Sequence, residues 1–116
     1  MPLIWNRCQG EVWCKLNSVN LDHPHFDNME GVYVIWHGGQ NPHTVYVGQG
    51  VIRDRLRQHR LDPRIQEFEP LGLFVTWARV TPDQRDGVEA FFAQRLNPRV
   101  GEQHPNVYPI EENLPW

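Results

Sequence analysis

Two short runs of β-branched and aromatic residues constrain the fold more than any other feature of the sequence. They are GVYVIWH at 31–37 and TVYVG at 44–48, and the residues GGQNPH lie between them. Val, Ile, Tyr and Trp favour strands, whereas Gly, Asn and Pro favour turns. The pattern therefore predicts two adjacent strands joined as an antiparallel hairpin.

Side-chain alternation within this hairpin indicates which residues share a face. Successive strand residues point to opposite sides, so Tyr33 and Ile35 should face away from Val34. Tyr46 lies between Val45 and Val47, and both valines are expected to point away from it. A hairpin of this kind can place Tyr33 and Tyr46 side by side.

The remaining segments predict two helices and two further strands. EVWCKLNSV at 11–19 alternates as a strand with Val12, Cys14 and Leu16 on its buried face, and LFVTWARV at 73–80 reads as another strand. A helix is expected from about Val51 to Arg60, with Ile52, Leu56 and His59 facing inward. A second helix should start at TPDQ, with Thr81 as N-cap, Pro82 at the first position and Gln84 completing a capping box.

These elements predict the α+β class, with a small central antiparallel sheet flanked by helices. The sheet should hold about three strands plus the N-terminal strand. We expect a single domain over 1–116, with a core at 31–100, an N-terminal strand and loop at 1–30, and an irregular tail at 97–116. Within the tail, Val107, Tyr108, Ile110 and Leu114 are apolar enough to pin it to the core.

Composition narrows the class of protein. The formal net charge is −3, which argues against a large basic surface for non-specific binding of nucleic acid. No apolar run approaches the roughly 20 residues that span a bilayer, so no membrane association is expected. The first ten residues lack the pattern of a secretory signal. We therefore expect a soluble cytoplasmic protein.

Positive charge is concentrated directly after the second predicted strand. Ten of the 11 cationic residues are Arg, and five of them lie in one segment: Arg53, Arg55, Arg57, Arg60 and Arg64. The arginine guanidinium is a planar fork of donors that fits phosphate. A local phosphate site and an ordinary solvated helix face both agree with this cluster.

Polar residues on the two predicted helices complete a constellation. Arg55 and His59 are four residues apart and should be neighbours on one helix face. Glu89 lies at the edge of the apolar face formed by Val88, Phe91, Phe92 and Leu96.

In order and spacing, the motifs of the two strands and the two helices resemble those of the GIY-YIG nucleases. GVY ending at Tyr33, YVG beginning at Tyr46, RLRQH and VEAFFAQRLNP are similar to that family's motifs, over roughly residues 31–100.

The resemblance implies a set of catalytic residues, namely Tyr33, Tyr46, Arg55, His59 and Glu89. Glu89 would bind Mg²⁺ or Mn²⁺, Arg55 would neutralise charge on the phosphate, and a tyrosine assisted by His59 would act as base, with Tyr33 favoured. It also implies substrate contacts by Gly48, Gln49, Arg53, Arg57 and Arg60. The family's Asn after the Pro-containing turn has no counterpart near Gly101, and Asn97, Asn106 and Asn113 are the available substitutes.

The function expected from this resemblance is metal-dependent hydrolysis of phosphodiester bonds by an endonuclease. The expected substrate is a nucleic acid, with DNA favoured, and specificity should be supplied by loops, a homodimer or a partner protein. The alternative is a catalytically silent module of the same fold that binds nucleic acid or a protein. Separately, Cys8, Cys14, His23 and His25 could supply a structural zinc site, although the spacing of the cysteines is wider than usual.

Overall fold

A four-stranded antiparallel sheet forms the centre of the fold. The computed structural model describes residues 2–101 and 104–116. In spatial order the strands are β1 (Cys14–Lys15), β4 (Leu73–Arg79), β2 (Glu30–His37) and β3 (His43–Val51). The helices are α1 (Ile52–His59), α2 (Pro63–Gln66) and α3 (Pro82–Leu96). The predicted α+β class, the hairpin and the fourth, N-terminal strand are confirmed.

Each face of the sheet has its own apolar core. On one face Tyr33 and Ile35 of β2 pack with Ile52 and Leu56 of α1. On the other face Val32, Val34 and Trp36 of β2 pack with Val88 and Phe92 of α3. The period-two alternation of β2 therefore divides its residues between two buried layers, which explains why nearly the whole strand is apolar.

The predicted orientation of Val45 is wrong because β3 contains a bulge. Ile35 pairs with Tyr46 and Trp36 pairs with Thr44, so Val45 is the extra residue between two paired positions. Val45 consequently packs in the same core as Tyr33, whereas Val47 points to the opposite face as expected. The irregularity lies next to Tyr46 and so bears directly on where that ring is placed.

The N-terminal strand is shorter than the sequence predicts. β1 contains two residues, and Val12, predicted to be buried, is 58% exposed: it forms an isolated bridge with Cys8 across the turn at 9–11 and lies outside the strand. Cys8 and Cys14 form a disulfide, so their thiolates cannot bind zinc together with His23 and His25. Disulfides persist mainly in oxidising compartments, and the expected cytoplasmic location stays a prediction.

The N-terminus of α3 and the C-terminal tail each differ in part from the prediction. Thr81 is the N-cap, but its side chain makes no capping bond, because its backbone carbonyl accepts the Gln84 N–H instead. In the tail, Val107 and Tyr108 are exposed, contrary to the prediction, whereas Ile110 and Leu114 make the predicted contact with the core. The Ile110 N–H donates to the Gly87 carbonyl at 2.9 Å, and its side chain covers the space that a Cβ on Gly87 would need.

No helix within the described residues is both long and apolar enough to cross a membrane.

Replacing Gly31 with alanine should destabilise the sheet by about 3 kcal/mol. A Cβ at this position would overlap the Ala78 carbonyl oxygen and lie 2.8 Å from the Val80 nitrogen, and both atoms belong to backbone that cannot move aside. Urea unfolding would measure the loss. Gln94→Ala, on the exposed side of α3, is the control and should change the free energy of unfolding by less than about 0.5 kcal/mol. Equal effects of the two changes would contradict this account.

Candidate active site

Tyr33 and Tyr46 lie side by side on the face of the sheet that α1 covers. Their rings are nearly parallel, with an interplanar angle of 10° and centroids 6.1 Å apart. Tyr33 is fully buried, whereas Tyr46 is only half-buried. The hairpin thus gives the predicted pair, with one hydroxyl group inside the protein and the other ring closer to solvent.

The position of the Tyr33 hydroxyl group depends on Gly48. Tyr33 of β2 is the direct cross-strand partner of Gly48 in β3, and the phenol ring crosses the backbone at that glycine. A Cβ on Gly48 would overlap the hydroxyl oxygen and lie 2.5 Å from Tyr33 Cζ. The glycine is therefore required by a close approach of a side chain to the backbone.

Helix α1 brings an arginine and a histidine to the two tyrosines. It begins at Ile52, directly after β3 ends, and burial of Ile52 and Leu56 holds it against the sheet. Arg55 Nε donates to the Tyr33 hydroxyl at 3.3 Å, and its Nη2 lies 3.5 Å from the Tyr46 hydroxyl. His59 Nε2 lies 2.6 Å from the Tyr33 hydroxyl, and the His59 and Tyr46 rings are 4.4 Å apart.

Burial sets the protonation of the Tyr33–His59 pair. Desolvation raises the pKa of Tyr33 well above its ordinary value, although nearby Arg55 opposes the shift. Desolvation, aided by the charge of Arg55, lowers the pKa of His59 to about 4. Near neutral pH the phenol therefore keeps its proton and the imidazole stays neutral, and the two groups share one short hydrogen bond.

Glu89 lies close to this cluster although α3 packs on the other face of the sheet. It is only 7% exposed, and desolvation raises its pKa. Charge interactions connect it with both Arg55 and Tyr33. A buried carboxylate with little compensation is a suitable ligand for a divalent cation.

His104, which the sequence analysis did not single out, lies beside Glu89. Its Nδ1 is 3.5 Å from Glu89 Oε2, and it also lies close to Gly101, which packs against the Tyr46 ring. The sequence analysis sought an Asn here. In the structure Asn97 ends α3 in a left-handed conformation, and Asn113 binds the backbone of Leu3. The signal that could have identified His104 is a polar ligand-type residue shortly after Pro98.

Three of the clustered arginines hold the N-terminal segment. Arg53 binds the carbonyls of Leu21 and His23 and the carboxylate of Asp27. Arg60 donates to the carbonyls of Leu16 and Val19, and Arg57 pairs with Asp22. Their guanidinium groups are thus engaged in internal contacts, and only Arg55 of the predicted phosphate contacts joins the tyrosines. Gln49 donates to Asp86 at 2.6 Å, which connects β3 to α3 one turn before Glu89.

The structure therefore brings Tyr33, Tyr46, Arg55 and His59 into one contact network and places Glu89 next to it. Among the described residues there is no group of three or more metal-binding side chains. The donors present are one carboxylate and one imidazole, which fits an ion that completes its coordination with water and substrate oxygens.

Comparison of the chain with protein-family models, with curated proteins and with solved structures gives no match. The resemblance to the GIY-YIG nucleases thus stays a prediction that depends on the motif residues themselves.

Substituting Gly48 with alanine should displace the Tyr33 ring and lower the free energy of unfolding by about 2 kcal/mol. The penalty should be smaller in a Tyr33→Leu background, because the shorter side chain leaves room for the new methyl group. Urea unfolding of the two single variants and the double variant gives the coupling between the positions. Additive effects would show that the Gly48–Tyr33 approach does not limit this position.

Acidification should destabilise the protein through His59. An unfolded chain binds a proton on this histidine near pH 6.5, whereas the folded chain resists protonation until about pH 4. The free energy of unfolding should therefore fall as pH drops from about 6.5 to 4, by about 3 kcal/mol from this residue. His59→Gln should lack this component, and His23→Gln in the exposed loop should keep it. Parallel pH profiles for the wild type and His59→Gln would rule out the proposed titration.

Proposed function

We propose that this protein is a metal-dependent endonuclease of the GIY-YIG type that hydrolyses phosphodiester bonds in DNA. The observation that carries the proposal is the meeting of two tyrosines, an arginine and a histidine beside a buried carboxylate. The bonds between Arg55 and the two hydroxyl groups, at 3.3 and 3.5 Å, are long and contribute little stabilisation, so these bonds alone do not account for the convergence of the polar groups.

Arg55 is the group that would stabilise charge on the phosphate. Its guanidinium is fixed by Tyr33 on one side and by Gln58, whose Oε1 accepts from Nη1 at 3.0 Å, on the other. A donor held in place before the reaction stabilises developing negative charge without reorganisation. Two planar N–H groups can contact two phosphoryl oxygens at once, which a lysine could not do in the same way.

The two tyrosines would have different tasks. The Tyr33 hydroxyl is fully buried and is bonded to His59 and Arg55, so it positions both groups. The half-buried Tyr46 is the tyrosine that an attacking water can approach. Geometric access decides which group can act as a base. We therefore assign the role of base to Tyr46, which would first release its own proton to solvent and then take the proton of the attacking water as a phenolate, whereas the sequence analysis favoured Tyr33.

Glu89 would hold the divalent metal. When bound, such an ion supplies charge neutralisation to the phosphoryl oxygens and a template for the substrate. The raised pKa of Glu89 agrees with a carboxylate that lacks a full counter-charge within the protein. Glu89 and Arg55 would then face the same phosphate from α3 and α1.

The second candidate function is a silent module that binds nucleic acid or protein. It is favoured by the net charge of −3 and by the internal contacts of Arg53, Arg57 and Arg60, which reduce the positive charge available for a long DNA backbone. Such a module would bind a partner at this site without cleaving it.

Cleavage of labelled DNA at low salt tests the proposal, with duplex, single-stranded, flap and branched substrates in Mg²⁺, Mn²⁺ or EDTA. Arg55→Ala and Glu89→Gln should each reduce cleavage by about a hundredfold or more. Arg57→Ala is the matched control on the same helix, because its guanidinium pairs with Asp22 away from the tyrosines. It should retain nearly full activity. Tyr46→Phe should lose more activity than Tyr33→Phe.

Folded wild-type protein that cleaves none of these substrates in either metal would remove the nuclease proposal and favour the silent module. Binding of one substrate without cleavage would then identify the partner of that module. Metal-dependent cleavage that survives in Glu89→Gln would instead show that the assigned site is not responsible.

A further inference from the structure

The placement of His104 next to Glu89 is held from both sides along the chain. Before it, the Arg99 N–H donates to the Thr44 carbonyl at 3.1 Å, and the Val100 N–H donates to the Val45 carbonyl at 2.8 Å. After it, Ile110 is bonded to Gly87 in α3. Arg99 and Val100 are thus attached to the edge of β3 and Ile110 to α3, and in the sequence His104 lies between these two attachments.

The contact between His104 and Glu89 is looser than a strong ion pair. Charge-assisted bonds between nitrogen and carboxylate oxygen are usually about 2.7–2.9 Å long, whereas this separation is 3.5 Å. Two donors that share one ion, each about 2.1 Å from it, lie about 3–3.5 Å apart. The observed distance therefore suits two ligands of a common cation.

Other charged groups nearby do not neutralise Glu89. Asp86, one helical turn earlier, adds negative charge and raises the pKa of Glu89 further, and its own Oδ1 is engaged by Gln49. The positive charge of Arg55 lowers the pKa of Glu89, but it has a smaller effect than burial, His104 or Asp86. The side chains of Glu89 and His104 are 9% and 23% exposed, so a bound ion would be partly shielded from water.

We propose that His104 and Glu89 together bind the divalent metal, His104 through an imidazole nitrogen and Glu89 through its carboxylate. This inference rests on the proposed function for the role of the ion, but not for its binding. Mg²⁺ prefers oxygen ligands, whereas imidazole nitrogen binds transition-metal ions well. The site should consequently bind Mn²⁺ more tightly than Mg²⁺.

Binding of Mn²⁺ without DNA tests the proposal, by calorimetry and by pulsed electron paramagnetic resonance, which detects a directly coordinated nitrogen. Wild-type protein should bind one Mn²⁺ and show a nitrogen coupling. His104→Ala should lose the coupling and bind Mn²⁺ at least about tenfold more weakly. His104→Asn, which offers an amide oxygen of similar reach, should also lose the coupling but narrow the preference for Mn²⁺ over Mg²⁺.

His23→Ala is the matched control, because His23 lies in the exposed N-terminal loop and should leave both measurements unchanged. Circular dichroism confirms that each variant is folded. A folded His104→Ala or His104→Asn protein that keeps the wild-type coupling and affinity would overturn the inference, as would a wild type with no coupled nitrogen.

These outcomes are separate from those of the nuclease assay. Mn²⁺ binding through His104 in a protein that cleaves no DNA would retain this inference and remove the proposed function. Cleavage that depends on Glu89, together with unaltered Mn²⁺ binding in His104→Ala, would retain the proposed function and remove this inference.

Discussion

The approach of the Tyr33 hydroxyl to Gly48 is the constraint on which the candidate site depends. The phenol can lie flat over β3 only because its cross-strand partner has no side chain. Its hydroxyl group then reaches His59 and Arg55, which α1 supplies directly after the strand. Strand pairing, the glycine and the start of the helix are therefore parts of one arrangement, and moving any of them would separate the polar groups.

This arrangement also removes polar groups from water, and the free-energy cost of that desolvation is offset by other interactions in the fold. A tyrosine hydroxyl, a neutral histidine and a carboxylate are removed from water, and such groups are tolerated when they are hydrogen-bonded or paired. Among the described residues, no buried side-chain nitrogen or oxygen lacks a hydrogen-bond partner. The two apolar cores, one on each face of the sheet, supply stabilisation that offsets the burial of these polar groups.

Periodicity in the sequence was sufficient to predict the hairpin, both longer helices and the placement of the two tyrosines on one face of the sheet. It could not predict the bulge at Val45, because one extra residue in a strand leaves the composition of that strand unchanged. The contacts of Arg53, Arg57 and Arg60 could not be predicted either, because most of their acceptors are backbone carbonyls of a loop that is distant in the sequence. His104 was missed for a related reason: its partner Glu89 is 15 residues away and becomes a neighbour only when the tail folds back.

The bonds from Arg99 and Val100 to β3 have a consequence for assembly. β3 is the last strand of the sheet on its side, and these two residues occupy the backbone acceptors of Thr44 and Val45 that would otherwise face outward. At the opposite side β1 contributes two residues. Addition of a strand from a second molecule is thus blocked at one edge at Thr44 and Val45 and given little length at the other. A subunit or partner that confers specificity would have to recognise side chains on loops and helices rather than extend the sheet.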